Sequence, residues 1–269
     1  MENIFCIDLE EWFHQKLVPD EYRGIDSTVE KNAGVLLELF EKTNTTATFF
    51  CVGEVVENFP ELIRKIRDKG HEIASHGYSH ELIYEQSQDE FREDIRKSKQ
   101  LIFDACGFYP KGYRAPSWSV TEKSLWSLDI LKDEGFCYDS SIFPTKNFLY
   151  GIPDAPPYPH KREVGSEPFL EIPPSTFSFL GKRFGFSGGF YFRALPLFFI
   201  NKFTGGCNKK GQPAVFYLHP VEIDRGCRKL KLSALDGFIT YFGLNSCLKK
   251  LEKVLEKYSF VSIEKYFKL

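Results

Sequence analysis

A chain of 269 residues, 42% hydrophobic and 27% charged, can bury roughly 70–75% of its unfolded surface in its own core, so it needs no disulfide or metal staple to fold. Its formal charge is −2 and its basic runs are short, such as Lys209-Lys210 and Lys249-Lys250. This implies neither nucleic acid nor an anionic membrane as partner and points to a neutral or small ligand.

Seven cysteines (Cys6, Cys51, Cys106, Cys137, Cys207, Cys227, Cys247) form no CxxC motif, and their odd number fits free thiols in a reducing compartment. Cys6, Cys51 and Cys137 lie in apolar, strand-like runs and are expected in the core. The start, Asn3-Ile4-Phe5-Cys6-Ile7, carries no basic or long apolar leader, and no stretch reaches the length of a membrane span. The expectation is a cytoplasmic protein with no stable membrane insertion. Against one Met stand 27 Phe and 13 Tyr, an aromatic content suited to a packed interior and to lining a sugar-binding groove.

In chain order, Ile4 to Leu9 reads as a buried strand running into Asp8-Leu9-Glu10-Glu11-Trp12, and 14–27 as a loop. Val29, Ala33, Leu36, Leu37 and Phe40 follow a helical period over Thr28–Lys42, and Thr46–Val52 is β-rich. A helix over Val55–Lys69, punctuated by Pro60, stops at Gly70, and a strand over 71–75 leads into Ser75-His76-Gly77-Tyr78-Ser79-His80. Ser87–Cys106 is a helix stopped by Gly107. Gly112–Pro116 is a short strand, Thr121–Glu134 a helix and Phe136–Ile142 a strand. Prolines and Gly151 make Pro144–Pro168 a long ordered loop. Beyond it come a strand at Phe169–Pro173, a turn at Ser187–Phe192, a helix at Leu195–Phe203 and the strand Ala214–Leu218 that ends on His219. A helix over Leu244–Tyr258 and a strand at Phe260–Ile263 close the chain. This alternation predicts βα units around a largely parallel sheet or barrel. The second half holds too few strands for a core of its own, so residues 1–269 are expected to be one domain.

Chemistry-bearing residues collect where apolar runs end: Asp8 with Glu10 and Glu11, His76 and His80, Arg114, Asp139 and His219. Two histidines four apart converge on one point from a helical turn or a loop, as a transition metal requires. Three crowded carboxylates are costly unless a cation or donors offset them. Each has an ordinary alternative: Glu10 and Glu11 opening a solvated loop, Arg114 in a surface ion pair, Asp139 in a turn, His219 in the core. Strand C-terminal ends are nevertheless where α/β barrels and open α/β sheets gather their active sites.

On these residues the chain resembles the polysaccharide deacetylases, the NodB-homology carbohydrate esterases of family four, from Ile4 to about Pro220. The resemblance implies a deformed (β/α) barrel, an Asp-His-His metal site that usually holds zinc, and hydrolysis of acetyl groups from sugars. Asp8 matches the family's base. Leu9 stands where the ligand aspartate would follow, so the carboxylate is expected from Glu10, which shares a strand face with Asp8, with Glu11 as the alternative. His76 and His80 match the His-Ser/Thr-x-x-His motif, with Gly77 in place of the bracing hydroxyl and Ser75 or Ser79 as substitutes. Arg114 and Pro116 match Arg-x-Pro, which implies that Arg114 pairs with the base and that the Ser117 amide helps hold the oxyanion. Asp139 is the weakly matched partner of the catalytic histidine, and Leu218-His219 gives that histidine, the acid. Asp-Leu-Glu-Glu-Trp-Phe and Tyr-Asp-Ser-Ser-Ile-x-Pro look most like members from bacterial exopolysaccharide and surface-glycan biosynthesis. The implied substrate is an acetylated amino sugar, free, carrier-linked or polymeric. A hydrolase of a cyclic imide, ureide or formamide is an alternative, as is a catalytically silent glycan-binding barrel, which the departures at Leu9 and Gly77 would fit.

Overall fold

The computed structural model describes residues 1–15, 18–145, 150–165 and 167–269, so the expected loops over 14–27 and 144–168 fall partly outside the described residues. The strands are β1 (Asn3–Leu9), β2 (Thr48–Cys51), β3 (Glu72–Ser75), β4 (Gly112–Tyr113), β5 (Tyr138–Asp139), β6 (His160–Val164), β7 (Glu167–Glu171), β8 (Thr176–Phe179), β9 (Lys182–Gly185), β10 (Val215–Leu218) and β11 (Phe260–Val261). The helices are α1 (Val29–Lys42), α2 (Gly53–Asn58), α3 (Pro60–Asp68), α4 (Gln88–Cys106), α5 (Trp126–Asp133), α6 (Gly189–Ala194), α7 (Leu197–Lys209), α8 (Ala234–Tyr241), α9 (Leu244–Lys257) and α10 (Ile263–Phe267).

One sheet runs β10-β1-β2-β3-β4-β5-β7-β6, with β11 on the start of β1, and every pairing is parallel except β6 with β7. The irregular backbone after β7 lies along β10: the Ser175 amide donates to the Val215 carbonyl at 3.1 Å and the Tyr217 amide to the Ser187 carbonyl at 3.1 Å. The result is the expected deformed barrel, closed at this seam by loops instead of a ladder.

Both faces of β1 are buried, as a barrel strand under helices requires. Phe5, Ile7 and Leu9 pack outward into the cluster that includes Leu36, Leu37 and Phe40 of α1 and Leu62, Ile63 and Ile66 of α3. Ile4 and Cys6 point into the barrel with Phe50, Ala74, Tyr138 and Tyr217. The next inward positions are therefore Asp8 and Glu10, since side chains alternate along a strand. The register pairs Leu9 with Cys51, Cys51 with Ser75, Ser75 with Tyr113 and Tyr113 with Asp139, while Ile7 pairs with Leu218. The residues that leave these strand ends, among them Glu10, His76, Arg114 and His219, thus emerge on one rim.

Several expectations are corrected. Within 144–168 the segment after Pro159 is not loop: β6 alternates in burial as an edge strand and turns into β7. Ser187–Phe192 contains the start of α6 instead of a turn. Helix α5 is confined to Trp126–Asp133, because Ser124 accepts from the Thr121 amide at 2.9 Å and holds the preceding residues in a turn. Cys137 is exposed, while Phe136 before it packs under the helices and Tyr138 after it points into the barrel. The hairpin β8–β9, α8 and α10 have no counterpart in the sequence reading. The hairpin's corner puts Leu180 at φ 50° and Gly181 at φ 75°, and a leucine in the first of two left-handed positions gives no recognisable turn signal.

At the opposite end of the barrel, buried Glu72 ties the C-terminus down. It accepts hydrogen bonds from Thr48 Oγ1 at 2.6 Å, the Tyr138 hydroxyl at 2.7 Å and the Glu264 amide at 2.8 Å. Burial raises its pKa. Glu72→Ala strands these donors and is expected to cost about 3 kcal/mol, read as a lower urea midpoint at unchanged slope. Glu72→Gln should recover most of the loss, and an alanine variant as stable as the parent would show the network to be idle.

Candidate active site

The three clustered carboxylates separate. Asp8 is buried and accepts from Arg114 Nη1 at 2.5 Å. Glu11 turns away from the barrel, where it accepts from the Ser27 hydroxyl and, at 3.1 Å, from the Thr28 amide at the start of α1. A carboxylate there complements the helix N-terminus. Glu10 turns inward to His80, with 2.6 Å between Oε2 and Nε2, and lies 4.0 Å from His76 Nε2. Of the two carboxylates the sequence left open, Glu10 is the one beside the imidazoles.

The loop carrying His76 and His80 is held from outside the motif. Gly77 sits at φ +72°, and an added Cβ would lie 2.8 Å from Asp94 Oδ2. That carboxylate, from α4, accepts from the Tyr78 amide at 2.8 Å and from the amide and hydroxyl of Ser79, each at 3.1 Å. Ser75 Oγ accepts from the Gly77 amide at 3.3 Å and lies 2.8 Å from Ser98 Oγ. Both substitute serines therefore contribute, and Asp94, which no local pattern singles out, organises the turn. His14 adds a second unforeseen contact: its ring stacks on His80 at 5.6 Å while its Nε2 lies 3.1 Å from Glu54.

Arg114 is wholly buried, donates through Nε and Nη2 to the carbonyl (3.1 Å) and hydroxyl (2.8 Å) of Ser140, and is flanked by Phe50 and Trp118. Its own carbonyl accepts from His76 Nδ1 at 2.7 Å, which turns Nε2 of that ring toward Glu10. Three residues on, Ser117 and Trp118 both adopt left-handed backbone, at φ 50° and 56°. Strain of this kind at a non-glycine residue persists only where the surroundings impose it.

His219 lies 3.7 Å from Asp8 Oδ2 and 3.9 Å from Glu10 Oε1 through Nε2. Its Nδ1 is 3.2 Å from Glu222 Oε2, and Glu222 is held by Arg193 Nε at 2.8 Å. Asp139 does not fill this place. It accepts from the amide and hydroxyl of Ser141 and pairs with Glu171 across the sheet, a buried carboxyl pair in which burial pushes both pKa values up. Ser141 Oγ in turn accepts from the Ala115 amide at 2.8 Å, so Asp139 supports the Arg114–Trp118 segment. The sequence missed Glu222 because it lies three residues past His219 on a short helical turn, where it reads as a surface position.

Electrostatics follow the same geometry. Burial pushes His76 down to about 4, leaving a neutral imidazole. Burial also opposes charge on His219 and Glu10, but it is outweighed in both. Glu10, Glu222 and Asp8 raise His219 to about 9, and His80, His219 and His76 lower Glu10 to about 2.

These residues line a cleft of about 200 Å³ together with Ser117, Trp118, Tyr150, Phe190 and Tyr217. The donor set suits a divalent metal: a carboxylate oxygen and two imidazole nitrogens lie within 4.8 Å of one another, all buried, and His76 is fixed by its second nitrogen.

Residues 24–136 match the family model described as polysaccharide deacetylase, and residues 140–268 match a domain of unknown function, DUF3473. A peptidoglycan deacetylase of Helicobacter pylori is 40% identical over 130 residues, 45% of this chain and 43% of the relative. A peptidoglycan-N-acetylglucosamine deacetylase of Bacillus cereus is 31% identical over 117 residues, 39% and 42% of the two chains. The match thus spans less than half the length of either relative. A Mycobacterium smegmatis protein described as a polysaccharide deacetylase has the same fold, with a TM-score of 0.63 at 20% identity over 99% of this chain and 90% of its own. Residues 24–136 thus resemble the polysaccharide deacetylases in sequence, and the chain shares the fold of a protein described in the same terms.

Proposed function

We propose that residues 1–269 act as one catalytic unit, a metal-dependent hydrolase that removes the N-acetyl group from an amino sugar of a glycan or glycan precursor. The observation that carries this reading is the convergence of Glu10, His76 and His80 beside Asp8 and His219 in one cleft. His219 comes from the half matched to the domain of unknown function, and the other four from β1, the residue that follows it and the loop after β3. That division supports one unit over two.

In this reading Glu10, His76 and His80 hold a divalent metal, zinc by the family's habit. Such an ion lowers the pKa of water toward neutrality and polarises an acetyl carbonyl. Asp8 takes the proton of the attacking water, and Arg114, hydrogen-bonded to it, aims that carboxylate. The Ser117 amide stabilises the charge that develops on the acetyl oxygen. His219 gives its proton to the departing amine, which would otherwise leave poorly. Tyr150 and Phe190, half-buried in the cleft wall, are the rings on which a sugar can lie. Relatives named for peptidoglycan deacetylation support the substrate class, and the sequence likeness to exopolysaccharide and surface-glycan enzymes directs it to glycan biosynthesis. All seven cysteines are free, Cys137 exposed among them, which supports a reducing, cytoplasmic setting.

The test combines acetate release from N-acetylglucosamine oligomers with metal analysis of the same preparation. We expect a divalent metal in the purified chain, acetate release that a chelator stops and added metal restores, and loss of both metal and activity in Glu10→Ala. Glu11→Ala should keep its metal and lose only the stability that its contacts at α1 supply, about 1 kcal/mol. Full metal content in Glu10→Ala with loss in Glu11→Ala would reverse the assignment. A metal-loaded chain that releases no acetate from any acetylated amino sugar would overturn the function.

A further inference from the structure

Helix α8 presents an unusual surface for a chain with ample core. None of its residues is buried, and Leu235 and Phe238, three apart on one face, are 67% and 49% exposed, while Phe242, just past the helix end, packs on Phe238 and is 44% exposed. Ahead of it runs Arg225-Gly226-Cys227-Arg228-Lys229-Leu230-Lys231, four cations without an acid. This stretch is fastened to the helix: the Leu230 amide donates to the Tyr241 hydroxyl at 2.7 Å, that hydroxyl donates to the Arg228 carbonyl at 3.1 Å, and Lys229 Nζ lies 3.9 Å above the Tyr241 ring.

The acids nearby are engaged elsewhere. Asp26 pairs with Arg228 at 2.6 Å, Asp236 accepts from the Ser233 hydroxyl at 2.6 Å, and buried Asp224 accepts from the Gly226 amide at 2.8 Å. Among the described residues, Arg225, Lys229 and Lys231 make no ion pair. An apolar row alone would suit many partners and a cationic row any polyanion. Both on one short exposed element match an anionic lipid surface, which offers phosphates above an apolar layer.

We propose that α8 and Arg225–Lys231 form a docking surface for an anionic phospholipid bilayer, with Leu235, Phe238 and Phe242 entering the headgroup boundary and Arg225, Lys229 and Lys231 meeting the lipid phosphates. No helix of the described residues is long and apolar enough to cross a membrane. Ile239 and Thr240 of the same helix line the catalytic cleft, and Arg193, which holds Glu222, donates to the carbonyls of Ile239, Thr240 and Phe242. Docking through α8 therefore brings the mouth of the cleft to the bilayer surface, where a glycan on a lipid carrier would be presented.

The experiment is co-sedimentation of the full chain with vesicles of phosphatidylcholine alone and of phosphatidylcholine mixed with phosphatidylglycerol. We expect binding to the mixed vesicles only, weakened by salt. Binding should fall roughly a hundred-fold in Arg225→Gln/Lys229→Gln/Lys231→Gln, at roughly five-fold per cation, and be lost in Leu235→Ser/Phe238→Ser. Circular dichroism melts confirm that both variants fold. Failure to bind the mixed vesicles, equal binding by the variants, or light scattering that shows the parent self-associating through Leu235 and Phe238 would each overturn the proposal. Vesicles carry no glycan, so the outcome is independent of whether the chain is a deacetylase.

Discussion

Asp8→Asn is expected to keep its metal and bind acetylated glycan like the parent, yet to release acetate roughly 10²–10⁴-fold more slowly. The substitution preserves size, leaves Glu10, His76 and His80 untouched, and keeps an oxygen that can accept from Arg114. It removes the capacity to take a proton together with the negative charge that faces Arg114. Arg114 is held by Ser140 and enclosed by Phe50 and Trp118, so it cannot swing toward solvent when its partner loses charge. An uncompensated buried guanidinium costs about 3 kcal/mol, and the variant should therefore also melt at a lower temperature. Assays belong well below that transition, on a substrate the parent hydrolyses, with metal measured in both proteins because metal loss imitates base loss. Unchanged hydrolysis by metal-loaded Asp8→Asn would exclude Asp8 as the base and point to water activation by another group.

The parts of this molecule that sequence reveals are those governed by short-range periodicity. Strands β1, β2, β3 and β10 are apolar runs with definite ends, and a parallel register aligns those ends, so residues read as strand-terminal do share a rim. The spacing Asp8-Leu9-Glu10 is legible for the same reason, because alternate residues of an extended strand face one way. What escapes is whatever depends on long-range or idiosyncratic contact. Asp94 reaches the His76–His80 loop from the middle of α4, where its place on the helix looks like a solvated position. Alternation sets Glu11 apart from Glu10, but nothing local shows that the start of α1 takes its oxygens. Asp139 matched a motif in name, but its partner is set by the β5–β7 pairing, and that pairing skips a strand in sequence order. The cationic stretch before α8 was hidden by averaging, since a net charge of −2 over the whole chain says nothing about seven consecutive residues.

His219→Ala should lower turnover by roughly 10²–10⁴-fold with little change in folding or metal content, as loss of a general acid predicts. The ring sits at the edge of the cleft, 3.7 Å from Asp8, and fills no part of the apolar core. Its removal leaves no large cavity. Glu222 acts through this ring. Held by Arg193 and bonded to Nδ1, it fixes the orientation in which Nε2 points at the cleft and favours the protonated form. Glu222→Gln is accordingly expected to cost roughly 10–100-fold. The two effects must not add: once His219 is gone, Glu222 has nothing left to orient. His219→Ala/Glu222→Gln should be no slower than His219→Ala alone, within the error of the assay. Additive losses would mean that Glu222 touches the substrate itself or holds the fold. A His219→Ala variant that unfolds, or one as active as the parent, would return His219 to a structural part and leave protonation of the amine to another group in the cleft.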